Sequence, residues 1–218
     1  MGNCCKKSKQ SESEDSFDLK SAINGKKRIC IWILGGPGSG KGTQCERLAD
    51  RFNLAHLSTG DLLRKVCKED TPLAQQFKQA MERGELVDTQ ALLQLLISAM
   101  KDAYKNFNGY LIDGFPREVE QGYLFSETIG MPHVIVSLEV PDDILVERLL
   151  KRGQDSGRSD DNEETILLRL RTFHNISQPV IDQWREKVVV IDGNRAADEV
   201  TQMCIEAILR LGSDFGLK

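Results

Sequence analysis

Gly35-Gly36-Pro37-Gly38-Ser39-Gly40-Lys41-Gly42-Thr43 is the segment of this chain whose residue types and spacing point most directly to chemistry. It fits G-x-x-x-x-G-K and lies between an apolar run and a helical stretch beginning at Gln44, which is the context such a loop requires. Glycines allow the dihedrals that turn successive N–H groups inward, the helix start adds partial positive charge, and Lys41 reaches the outer oxygens of an anionic guest. The matching guest is an oligophosphate. Gly42 stands where many such loops carry a magnesium-binding hydroxyl, and Thr43 follows one residue later, so metal contact by Thr43 is left open.

Leu111-Ile112-Asp113 closes another apolar run with a carboxylate, placed as in proteins that hold Mg²⁺ or its waters beside phosphates. The segment Asp113-Gly114-Phe115-Pro116 lacks the glycine of D-x-x-G, and there is no N-K-x-D guanine reader, which speaks against a GTPase. Arginine is the informative surplus. Arg64, Arg117, Arg148, Arg152, Arg158 and Arg169 fall near strand ends or around Gly153–Asp161, and Arg148 and Arg152, four residues apart, face one way from a helix. Each guanidinium fork can take phosphate oxygens two at a time, so the set suggests more anionic charge than one triphosphate carries. Two nucleotides bound phosphate end to phosphate end would account for it. A phosphate-oxygen acceptor is already anionic and needs no general base, in keeping with the lack of a Ser-His-Asp or Cys-His set. His56, His133 and His174 read as structural or surface residues.

These groups must be positioned by a scaffold. The apolar runs Ile29–Leu34, Gly109–Asp113, Val134–Leu138 and Val188–Ile191 have the length and branching of strands buried on both faces. Helical patterns intervene, with start signals at Thr71-Pro72, at Asp88, at Pro141 with Asp142 and Asp143, and at Asp161 with Glu164 as a capping box; Ser58 with Asp61 reads as another cap. Alternation of this kind predicts an α/β fold whose parallel sheet is covered on both faces, with ligands at the carboxyl ends of the strands. Residues 1–27 have almost no apolar content over most of their length and read as a disordered tail.

The chain has 218 residues, enough for one domain with a real core; its 40% hydrophobic and 28% charged content is slightly more polar than the roughly 45–50% and 25% of ordinary globular proteins. Twenty-nine Lys and Arg against thirty-three Asp and Glu leave a net charge of −4, which argues against a nucleic-acid partner. No apolar window is long enough to span a membrane, and no secretory signal follows the N-terminal charges. Six cysteines, with no CxxC pair and no zinc-ligand spacing, suit a reducing cytoplasm; Cys30 and Cys45 read as small buried hydrophobes.

GGPGSGKGTQ at 35–44, HLSTGDLLR at 56–64, LIDGFPRE at 111–118 and KRGQDSGRSDDNEET at 151–165 together resemble the adenylate kinases, specifically the short-lid cytosolic type. The resemblance covers residues 28–212 with the motifs in family order. It implies a P-loop nucleoside monophosphate kinase fold: a central five-stranded parallel sheet flanked by helices, an AMP-binding segment over 58–87, a short lid over 151–162, and a C-terminal end at 213–218. It also implies the substrates ATP, AMP and ADP, Mg²⁺ carried with ATP, and a monomer. On this resemblance Gly36, Pro37, Gly38, Ser39, Gly40, Lys41, Gly42 and Thr43 cradle the ATP phosphates. Arg64 and Arg117 hold the AMP phosphate, Arg117 near the transferring group; Thr59, Val87, Gly114 and Gln121 belong to the AMP site, with Gln121 at the adenine edge. Arg148, Arg152, Arg158 and Arg169 close over the migrating phosphoryl, and Asp160 and Asp161 are lid acids that pair with them. A glutamine amide could also match uracil, so Gln121 alone does not select the base. The related uridylate–cytidylate kinases carry alanine in place of Thr59 and asparagine after G-F-P-R, where this chain has Glu118. Only five residues separate Arg152 from Arg158 and none is cysteine, so no zinc-stapled lid, and no zinc, is expected.

Met1-Gly2-Asn3-Cys4-Cys5 suggests N-myristoylation at Gly2 with palmitoylation at Cys4 or Cys5, although Lys6 stands where Ser or Thr is usual. Lys6, Lys7 and Lys9 add attraction to anionic leaflets of roughly 1 kcal/mol each. The two expectations are a cytoplasmic enzyme anchored to the cytoplasmic face of a membrane, and one with an unmodified solvated tail.

Overall fold

The computed structural model describes residues 18–25, 27–156 and 160–217. Gly2, Cys4, Cys5 and Arg158 lie outside them. Five strands, β1 (Ile29–Gly35), β2 (Ala55–Ser58), β3 (Gly109–Asp113), β4 (Val134–Glu139) and β5 (Val188–Asp192), form one parallel sheet in the order β2-β3-β1-β4-β5. The helices are α1 (Leu19–Asn24), α2 (Lys41–Phe52), α3 (Thr59–Val66), α4 (Pro72–Glu82), α5 (Thr89–Ala103), α6 (Val119–Thr128), α7 (Asp142–Ser156), α8 (Glu163–Thr172), α9 (Gln178–Gln183) and α10 (Ala197–Leu211). A π-helical turn, Phe173–Ser177, joins α8 to α9.

The continuous apolar runs are explained by helices on both faces. Ile29, Ile31 and Ile33 of β1 pack with Cys45, Leu48 and Phe52 of α2 and Val200, Cys204 and Ile208 of α10. Their alternating neighbours Cys30, Trp32 and Leu34 face the other layer, where Leu63, Phe77, Leu96, Phe125, Val180 and Trp184 gather. Trp32 anchors that side edge-to-face, with ring centroids 5.3 Å from Phe125 and 5.6 Å from Trp184. A third cluster, Leu145, Leu149, Ile166 and Leu170, clamps α7 to α8.

Three expectations need correction or completion. β2 escapes a search for apolar runs because Ala55-His56-Leu57-Ser58 is only four residues long and alternates buried with half-buried positions. The 1–27 tail is not uniform: α1 buries Leu19, Ala22 and Ile23, whose helical spacing makes one apolar stripe, and Asp18 caps it by accepting from the Lys20 N–H at 2.9 Å. Lys20 Nζ also donates to the Glu127 carbonyl at 2.6 Å. The Asp161–Glu164 capping box does not form. Asn162 is the cap of α8, accepting from the Thr165 N–H at 3.0 Å, because the Asp161 carboxylate is engaged by two arginines. The caps at Ser58, Thr71 and Asp88 form as expected.

Candidate active site

The loop after β1 is shaped by backbone positions only glycine adopts freely. Gly38 has φ of 83°, and a Cβ there would lie 2.9 Å from the Leu145 carbonyl oxygen. Lys41, at the first position of α2, turns back into the loop and donates to the carbonyls of Gly35 at 2.8 Å and Gly36 at 2.7 Å, with the Ser39 hydroxyl at 3.4 Å. Burial lowers its pKa to about 8, against the opposing pull of the Asp113 carboxylate. That carboxylate arrives by register, since Ile33 of β1 pairs with Asp113 at the end of β3.

Arginines converge on this loop from several elements. Arg64 lies in the last turn of α3 and pairs with Asp61 at 2.6 Å. Arg117, in the connection after β3, donates through Nε to the Gly114 carbonyl at 3.0 Å, while its own carbonyl accepts from the Ser177 hydroxyl at 2.7 Å. Burial and the nearby Arg169 charge lower its pKa to about 10. Arg148 and Arg152 lie one turn apart on α7; the first donates to the Gly193 carbonyl at 3.2 Å, the second grips Asp161 with bonds of 2.6 and 2.7 Å. Arg169 of α8 meets Asp160 at 2.9 Å and Asp161 at 3.0 Å.

Lys41 and these five arginines line one cavity of about 510 Å³, together with Pro37, Gly38, Gly40, Gly42, Thr43, Asp113 and Gly114. Gly36 and Ser39 stand behind its wall, where they hold Lys41. A smaller adjoining cavity is lined by Thr59, Arg64, Val87, Arg117, Gln121 and Arg169. Thr59 is fully buried, its hydroxyl within 3.1 Å of both the Asp113 and Gly114 carbonyls. The Gln121 amide accepts from the Arg117 N–H at 2.9 Å and donates to the Thr89 hydroxyl at 3.3 Å, so it also fixes the arginine loop. Thr89, at the start of α5, and Phe173 and Ser177, on the π-helical turn between α8 and α9, contribute to the site without any sequence signal, being ordinary residue types.

Of the histidines, His133 accepts the Cys30 N–H at 3.0 Å and His174 lies 2.9 Å from Asp142, as structural and surface roles require. His56 differs. It lines the main cavity with its Nε2 3.5 Å from Asp113 Oδ2. Asp113 and Thr43 both line the loop's cavity, and a carboxylate and a hydroxyl are the kind of oxygen donors that suit a Mg²⁺ ion keeping its other positions for phosphate oxygens and water.

A chamber of this size, cationic on several sides and open at the carboxyl edge of a parallel sheet, belongs to a P-loop phosphotransferase with the nucleoside monophosphate kinase fold. The family model for adenylate kinase matches residues 33–189. Adenylate kinase 1 of Schistosoma mansoni is 44% identical over 172 residues, covering 78% of this chain and 87% of the relative. Human adenylate kinase isoenzyme 1 is 41% identical over 182 residues, covering 82% and 94%. The carp isoenzyme 1 is 42% identical over 180 residues, covering 82% and 93%. The chain belongs to the adenylate kinase family, enzymes of reversible phosphoryl transfer between Mg·ATP and AMP.

Proposed function

We propose that this chain converts ATP and AMP to two ADP in the 510 Å³ chamber, with the loop end holding the donor and the Arg64–Arg117 side holding the acceptor. The observation that carries the reading is the convergence of Lys41 with Arg64, Arg117, Arg148, Arg152 and Arg169 on one cavity. Two polyanions repel each other, and this ring of fixed positive groups offsets the repulsion as charge shifts from donor to acceptor oxygens. Gly36–Thr43 cradles the donor phosphates and Asp113 orients the magnesium that ATP carries. Thr59, Val87, Gly114 and Gln121 shape the monophosphate pocket. Arg158 completes the lid arginines in this assignment, and closure of 151–162 over the donor keeps water from competing with AMP.

The test is to incubate the protein with Mg·ATP and AMP, UMP or CMP in turn and measure diphosphate. Preference for AMP supports the assignment; preference for UMP or CMP, or nucleotide binding without product, overturns it. We further propose a monomer acting at the cytoplasmic face of a membrane through acylation of Gly2 and Cys4 or Cys5. Among the described residues no helix is long and apolar enough to cross a membrane, so attachment would rest on the acyl chains and on Lys6, Lys7 and Lys9. Incorporation of a myristate analogue at Gly2 supports this; absence of label removes it.

A further inference from the structure

Cys45 on α2, His56 on β2 and Asp113 at the end of β3 come from three separate elements, and one ligand atom from each lies within 4.8 Å of the other two. We propose that they form a binding site for one thiophilic divalent cation of the zinc class, separate in chemistry from the magnesium that accompanies ATP. Sulfur, imidazole nitrogen and carboxylate oxygen form a donor set that zinc accepts and magnesium does not. Three protein ligands with a fourth position open is an established zinc arrangement. Metal–ligand bonds of roughly 2.0–2.3 Å place tetrahedral ligands about 3.3–3.8 Å apart, so small side-chain adjustments close the trio.

A second observation points to a missing ligand. His56 Nε2 is shielded from solvent and has no hydrogen-bond partner, although it lies 3.5 Å from Asp113 Oδ2. Such a nitrogen is costly unless something fills its lone pair or takes its proton. The cation has a route in, because His56 and Asp113 line the main cavity while Cys45, fully buried, lies behind it. Occupancy by zinc withdraws Asp113 from the magnesium of ATP and inhibits phosphoryl transfer. The inhibition rests on the role proposed above for Asp113; the binding does not.

The experiment uses the full chain with Cys4→Ser and Cys5→Ser, to remove the tail thiols, in magnesium-free buffer. Cobalt(II) serves as spectroscopic probe and zinc is titrated against a colorimetric chelator. The expected result is one equivalent bound, with a thiolate-to-cobalt charge-transfer band that added zinc abolishes. Cys45→Ser should remove the band, and His56→Gln should weaken binding on the order of tenfold or more, with circular dichroism of each zinc-free variant showing an intact fold. No saturable binding, a band that survives Cys45→Ser, or undiminished affinity in His56→Gln would each overturn the site. One equivalent of zinc should lower parent activity at least tenfold, reversibly with chelator, and leave His56→Gln unaffected. Stoichiometric binding without inhibition would leave the site standing and remove Asp113 from its place beside Mg·ATP.

Discussion

The two ends of the chamber hold positive charge in different ways. At the loop end Lys41 is held by backbone carbonyls of Gly35 and Gly36, within a turn whose shape follows from glycine dihedrals. On the arginine side, Arg64, Arg152 and Arg169 ride on helices and are neutralised by Asp61, Asp160 and Asp161. A backbone cradle offers its ligand one conformation, whereas an ion pair can exchange its carboxylate for a phosphate when substrate arrives. The loop is thus preorganised and the arginine side is exchangeable, which suits the proposed assignment of the donor to the loop end.

The largest expected effect attacks the charges themselves. Lys41→Met should lower kcat/KM by about 10²–10³, and Arg117→Ala by at least on the order of 10², in steady-state assays with circular dichroism showing an intact fold. Near-normal turnover in either variant would take that residue out of the role given to it. Gly38→Ala tests the rigidity of the loop end: a Cβ at φ of 83° and 2.9 Å from the Leu145 carbonyl should cost about 1–3 kcal/mol in denaturant unfolding. A cost near zero would mean that the cradle yields as readily as the helices opposite. Asp161→Asn removes a partner from Arg152 and Arg169 at once and should lower stability by about 1–2 kcal/mol, since both arginines are partly exposed. An unchanged urea midpoint would show that these pairs hold nothing.

The smallest effect sharpens the contrast by proton counting. Lys41 has a pKa of about 8 in the free protein against an ordinary 10.5, so near pH 9 it is mostly neutral, and bound phosphates favour its charged form. ATP binding at that pH should take up close to one proton, read by calorimetry in buffers of different ionisation enthalpy, and Lys41→Met should abolish the uptake. The stability sign agrees. With the folded pKa below the unfolded one, the unfolded chain binds more protons between about pH 8 and 10.5, so this residue's contribution to stability rises with pH across that window. Arg117, lowered to about 10, continues the rise above it.

Much of this was legible in the chain because it is local. Four strands announced themselves as apolar runs, and the caps at Ser58, Thr71 and Asp88 needed only a side chain and an N–H a few residues away. Features decided by competition were less legible. Asp161 looked like a helix cap until two arginines claimed its carboxylate and Asn162 took its place. Leu19, Ala22 and Ile23 were too short a stripe to stand out beside a long polar segment, yet they bury against the core.

The nine residues from Gly35 to Thr43 determined by themselves the tight loop ahead of α2, because its turns are set by dihedrals glycine adopts within the segment. Which charges face that loop was decided by the sheet order β2-β3-β1-β4-β5, which sets Asp113 across from Ile33 at the loop and brings the side chain of His56, paired by register with Leu111, within 3.5 Å of the Asp113 carboxylate. Contacts between residues tens of positions apart depend on which strand lies next to which, and that order arises only when both faces of the sheet are covered together.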